Sequence, residues 1–197
     1  SQGGILGLGY IGFSDRIDRG AVSVPGGPFT TLMPRSVHFD AFRLILETRF
    51  TDDREVAMMM ASMQTLWEPA EGSGWAGVMD DDVLIQTALG DAQVSAVGAH
   101  NLARALGASS VAPQVRDIWG IDEADAGFSG SAIAEWRYVD GGEDPVAGVP
   151  ADSDGDTHTC VRKEPEAQAQ LIEFLASGTV TQHCDGVCEG VRAGLCD

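Results

Sequence analysis

The stretch DDDVLIQTALGD, residues 80–91, constrains the fold more than any other. From Val83 to Thr87 it carries no charge and is mostly β-branched or leucine. A strand of that kind is apolar on both faces. It must be covered on both, which is the situation of a strand inside a parallel sheet. A helical pattern follows from Val94 to Leu106, with Val94, Val97, Leu102 and Leu106 on one face and Gly107 as the stop. Strand followed by helix recurs along the chain. A glycine-rich helix over Gln2 to Ile17 precedes a short strand at Ala21 to Val24, ended by Pro25-Gly26-Gly27. Ser36 to Leu66 reads as helical. Gln114 to Trp119 and Ser131 to Tyr138 are further strand candidates, and Pro165 opens a last helix to about Ala176. The alternation predicts an α/β fold: a mostly parallel sheet with helices on both faces. One domain is expected over residues 1–180, with a helical insertion at about 34–67 and a cysteine-rich tail at 181–197. Three or four strands make a thin sheet, so a further amino-terminal segment is expected to complete it.

Charge and cysteines narrow the setting. The 197 residues carry 30 acidic and 12 basic side chains, a net charge of −18. Such a surface repels nucleic acid and anionic membranes. No apolar run approaches the roughly 18 residues of a membrane span. Three of the cysteines, Cys184, Cys188 and Cys196, crowd the tail, with Cys160 upstream. Their spacing matches no common zinc pattern, although His183 could join as a ligand. An even count in a glycine-rich acidic tail predicts disulfides and an extracellular or periplasmic location, with the pairing left open.

Candidate chemistry begins at Ser1-Gln2-Gly3-Gly4. A serine at the turn into a helix, with glycine two residues later, has the second half of a nucleophile-elbow pattern. The backbone N–H of Gln2 would then face a substrate carbonyl. A serine nucleophile needs an imidazole base, and the base needs an orienting carboxylate. Asp91 follows the best strand and precedes a helix. Open α/β sheets place their sites at that end of a strand. His158, in SDGDTHTC, follows the last strand candidates and precedes the last helix.

With Ser1, Asp91 and His158 in that order, the chain resembles the carboxyl-terminal part of an α/β-hydrolase of esterase or lipase type, over nearly its whole length. The resemblance implies that Ser1 is the nucleophile, Asp91 the acid, His158 the base and Gln2 one oxyanion donor. It implies cleavage of carboxylic esters without a cofactor. The family often inserts a lid between the corresponding strands. Phe39, Phe42, Met58, Met59, Met60 and Met63 would then line the substrate pocket, with Phe39, Phe42, Met59 and Met63 the foremost, or else pack the insertion on the core.

Other readings stand beside this one. Ser1 is equally a processing or tag residue, and Asp91 a helix cap. Self-cleavage before Ser1 would produce a two-chain enzyme with a bound amino-terminal companion. An N-terminal-nucleophile amidase would use the Ser1 amine as base but needs an antiparallel core. A non-catalytic secreted binding module is the third possibility. Asp152, Asp154 and Asp156 resemble a shortened calcium loop without its distant bidentate glutamate, so calcium is an optional cofactor and a solvated turn the alternative.

Overall fold

Strand β2 (Asp82–Ala88) forms as expected in the computed structural model, which describes residues 1–196, and it is buried from Val83 to Ala88. It pairs in parallel with β1 (Arg19–Ser23) on one side and with β6 (Ala132–Tyr138) on the other. Beyond β6 lie β3 (Ser109–Val111) and β4 (Glu123–Ala124), also parallel. A six-stranded sheet results, completed by β8 (Glu189–Gly190) at the far end of β6. A separate antiparallel pair joins β5 (Phe128–Ser129) to β7 (Thr179–Val180).

The two-residue period of β2 sorts its side chains between two cores. Val83 and Ile85 pack with Leu8 and Ile11 of α1 (Gln2–Phe13) and with Ala99, Leu102 and Ala103 of α5 (Ala96–Ala105). Leu84 and Ala88 pack with Ala167 and Phe174 of α6 (Pro165–Ser177). Helices therefore cover both faces of a mostly parallel sheet. Beside Thr87, Gln86 is one of two buried polar side chains on β2. Its Nε2 donates to Ala167 O and Gln170 Oε1, and its Oε1 accepts from Ser23, so a buried amide pins α6 to the sheet. Gly98 of α5 is required by packing. A Cβ there would stand 2.9 Å from Gly26 Cα, so the loop after β1 lies against the helix backbone.

Between β1 and β2 the chain leaves the sheet. It forms α2 (Phe29–Leu32), α3 (Asp40–Arg49) and α4 (Asp53–Trp67), linked by short 3-10 turns. These helices are loosely attached. No residue of α3 is buried, and Met60 is the one buried residue of α4.

Two expectations need correction, and one falls in part outside the described residues. Gln114–Trp119 is not a strand but an irregular loop: Arg116 turns inward to Glu135 and Asp144, and Ile118 packs in the α5 core. The strand of that region is β3, upstream. Helix α1 stops at Phe13, because Ser14 adopts an extended conformation. Asp197, the last residue of the expected tail, lies outside the described residues.

Candidate active site

Two loops at the carboxyl ends of parallel strands build the site. The turn after β2 holds Asp91, and the long loop after β6 holds His158. Gly90 allows them to meet. Its φ is +77°, and a Cβ would stand 2.1 Å from Gly142 O. The backbone of the histidine loop thus occupies the space of a side chain.

Asp91 is fully buried and His158 is 4% exposed. Asp91 Oδ2 lies 2.7 Å from His158 Nδ1. Its other oxygen accepts the backbone N–H groups of Gln93 and Val94 at 2.9 and 2.7 Å. Both oxygens are thereby committed, and the ring is held with Nδ1 toward the acid. Burial pushes the Asp91 carboxyl above its ordinary range; the hydrogen bond and charge of His158 and the two amides offset part of that.

Asp156 fastens the two loops together. Its Oδ1 accepts from Ala92 N and His158 N, and its Oδ2 accepts from Gln93 Nε2. Thr157 adds a bond from its hydroxyl to Leu89 O, and Asp144 accepts from Gly90 N. Asp144 belongs in turn to a buried charge network. Arg116 bridges Asp144 and Glu135, and Glu135 also meets His100 at 2.7 Å. Burial raises the Glu135 carboxyl, but the bonds from His100 and Arg116 outweigh it and hold the group below the usual range.

Asp156 is therefore engaged by protein N–H groups, and Asp152 Oδ1 caps the adjoining 3-10 turn at Asp154 N. Among the described residues no three His, Cys, Asp or Glu side chains gather as metal ligands. The expected calcium candidates, Asp152, Asp154 and Asp156, do not form such a set.

Ser1 stands at the amino end of α1. Its hydroxyl makes no capping bond to the helix. Its nitrogen donates to Ser23 O at 2.9 Å. That amine is pushed down to about 6, first by burial, with the Asp91 charge opposing and Arg162 adding to the shift. Gln2, at the first helical position, has an N–H with no carbonyl of its own helix to bond.

Ser1 and Gln2 open into a cavity of about 680 Å³ shared with Gln93 and Val94. Its remaining wall is largely apolar and comes from α2–α4 and the turns between them. Phe39, Phe42 and Met63 line it as expected. Met59 does not; Met60, one helical step away, takes that place. A step of one residue rotates a side chain by about 100°, and Met60, Met63 and Trp67 share the inward face. Asp91 and His158 are thus brought into contact, and Ser1 shares its cavity with the residues whose amides hold Asp91. Among the described residues the Ser1 hydroxyl forms no hydrogen bond.

Several participants were not singled out from sequence. His38, in the turn before α3, bonds Gln93 at 3.0 Å. Buried Glu71 accepts from Phe29 N, Ser73 and Gln64, joining α2 to α4. The one available signal was the Asp-x-His spacing of Asp156 and His158.

The tail contains two disulfides, Cys160–Cys196 and Cys184–Cys188. The first ties the chain two residues beyond His158 to the carboxyl end. Both fit an oxidising compartment. Among the described residues no helix is long and apolar enough to cross a membrane. No known family, curated protein or solved structure matches this chain.

Proposed function

We propose that this chain carries the reactive groups of an α/β-hydrolase-type serine hydrolase that cleaves carboxylic esters through an acyl-enzyme. The observation that carries the reading is the buried Asp91–His158 pair, fixed at the ends of neighbouring parallel strands beside the apolar cavity into which Ser1 opens.

In this reading His158 Nε2 takes the Ser1 hydroxyl proton as Oγ attacks the ester carbonyl. Asp91 keeps the Nδ1 proton in place and stabilises the imidazolium. The negative charge on the tetrahedral oxygen is met by the Gln2 N–H and the positive end of α1. His158 then returns the proton to the leaving alcohol. Water, activated by the same imidazole, releases the acid and restores Ser1. The apolar cavity takes the acyl group. β1 has a paired strand on one side only among the described residues, and Ser1 N bonds Ser23 O beside it. A companion amino-terminal segment would extend the sheet there, and the second oxyanion donor would come from a loop of that segment. The disulfides favour an extracellular or periplasmic location.

A second reading rests on the Ser1 amine. In a form of the protein processed to a free Ser1 amine, that amine, lowered to about 6 by burial, would be largely unprotonated at neutral pH and able to act as base, as in N-terminal-nucleophile amidases. We place it second because the sheet is parallel where that class needs antiparallel layers.

A fluorophosphonate probe applied to the intact natural protein separates the readings. Labelling at Ser1 that is lost in His158→Ala supports the triad. Labelling that survives His158→Ala supports the amine. A protein that is folded by circular dichroism yet never labels is a binding module, and the proposal fails.

A further inference from the structure

The helical segment contains a second hollow. It measures about 390 Å³ and lies between α2, α3 and α4, with Val56, Ala57 and Ala61 along one side and Pro34 and Thr30 along another. Arg43, Glu47 and Asp53 stand at it as well. Two side chains line both this hollow and the cavity at Ser1: Phe39 and Met60. We propose that Phe39 and Met60 are the specificity-determining partition that sets how long an apolar acyl group this protein accepts. The inference rests on the reading of the larger cavity as the acyl site.

The packing supports a wall. Phe39 is 9% exposed and Met60 4%, although the helices around them are mostly exposed. They come from separate elements, the turn before α3 and the middle of α4. Phe39 is braced by Phe42, whose ring stacks on it with centroids 6.0 Å apart at 19°. Met60 carries three rotatable bonds and no branch, so it can yield to a chain that presses on it. Neither side chain makes a hydrogen bond, so truncating both leaves no orphaned polar partner. It joins a cavity of about 680 Å³ to a hollow of about 390 Å³.

An unbranched chain that ends at the wall in the natural protein would extend past it in Phe39→Ala/Met60→Ala. Each methylene that gains an apolar surround is worth ~0.8 kcal/mol, which is about fourfold in kcat/KM. Two newly buried methylenes already give more than tenfold.

The test uses the intact natural protein with 4-nitrophenyl esters of unbranched acids from four to eighteen carbons. Binding of the free fatty acids, followed by calorimetry, serves as a readout that needs no catalysis. In the natural protein both profiles should rise with chain length and break at one length. In Phe39→Ala/Met60→Ala the break should move to longer chains in both, with at least a tenfold gain in the long-to-short ratio. Val56→Phe added to that variant refills the hollow and should return the break toward its original length. Met60→Ala alone, the milder change, should move it in the same direction if the double variant proves unfolded. A break at the same length in folded single and double variants overturns the proposal, as does a shift that Val56→Phe leaves in place. Absence of ester hydrolysis together with a fatty-acid break that moves as described refutes the hydrolase reading and leaves the partition standing.

Discussion

If the proposed triad holds, Asp91→Asn separates catalysis from stability, because opposite effects on the two are expected. The Gln93 and Val94 amides are donors and require an acceptor, so the asparagine oxygen stays where Oδ1 is now. The side-chain NH₂ then faces His158 Nδ1 across the 2.7 Å gap. Two donors cannot share that contact. The imidazole proton moves to Nε2, and the nitrogen that should receive the Ser1 proton is blocked. A loss of about 10⁴-fold in kcat is expected, the size found where a triad acid is made neutral in this way. Stability should move the other way. Burial raises the folded-state pKa of Asp91, so its contribution favours the folded state when protonated, below the unfolded pKa near 4. That contribution is lost as pH rises through the folded value, and at neutral pH the ionised carboxylate is a net cost. Asn carries no such cost, so the variant should melt at or above the natural protein at pH 7, with the advantage vanishing in acid. Asp91→Ala should instead lose roughly 3 kcal/mol or more, because it strands two amides and an imidazole at about 1–3 kcal/mol each. Thermal melts at a series of pH values and single-turnover ester hydrolysis provide both readouts. Asp91→Asn with more than a tenth of normal activity would refute the assigned role, and one that melts well below the natural protein at pH 7 would refute the electrostatic reasoning.

Three other perturbations probe the frame around the pair. Removing Cys160–Cys196, which closes a 36-residue span, should cost about 4 kcal/mol by chain entropy, measured by urea unfolding of the double alanine variant. Gly90→Ala combines a left-handed backbone with a 2.1 Å collision and should lose roughly 3 kcal/mol in the same assay. Glu135→Gln breaks the buried bridge to Arg116 and His100 and should cost roughly 3 kcal/mol at neutral pH. Because the Glu135 pKa is depressed, that stabilisation is present above the unfolded value and disappears as pH falls through the folded one. The gap between variant and natural protein should therefore close in acid titrations followed by circular dichroism.

What could be read from sequence depended on how local its cause was. β2 was legible from its uncharged, largely β-branched run at Val83 to Thr87 and α5 from its helical period, each carried within its own residues. β3 was not, since Ser109 and Ser110 are polar and a three-residue strand has no period to show. Gln114–Trp119 reads as a strand because Val115, Ile118 and Trp119 give this short run its apolar residues, and nothing local shows that Arg116 turns inward to carboxylates far along the chain. Asp91 and His158 were found through their places at strand ends, which α/β topology makes meaningful. Gln93 was not singled out and Asp156 was named only as a calcium candidate, because their roles exist only when two loops more than sixty residues apart meet. The methionine error has a geometric source: in the run Met58-Met59-Met60, only the rotation of α4 against its neighbours selects the inward side chain.

The molecule divides its polar and apolar work between two kinds of structure. Around Asp91 and His158, two loops are joined by bonds through Asp144, Asp156 and Thr157, backed by the Arg116–Glu135–His100 network and closed by a disulfide beyond the histidine. Positioning a proton donor to a fraction of an ångström requires that density of constraint. The helices over the cavity have the reverse character. Few of their side chains are buried, and their polar ties to the rest are few: the Glu71 cluster, the Val37 N–H bonded to Ala92 O, and His38 on Gln93. Two of these ties end on the residues flanking Asp91 in the same turn, so the helical wall is registered against the rigid loops at one edge and left free elsewhere. In the proposed hydrolase, a wall held in that way can adapt to different apolar chains while the proposed reacting groups stay fixed. Substitutions in α3 and α4 should therefore alter which substrate binds before they alter how fast the chemistry runs, and substitutions at Asp144 or Asp156 should do the reverse.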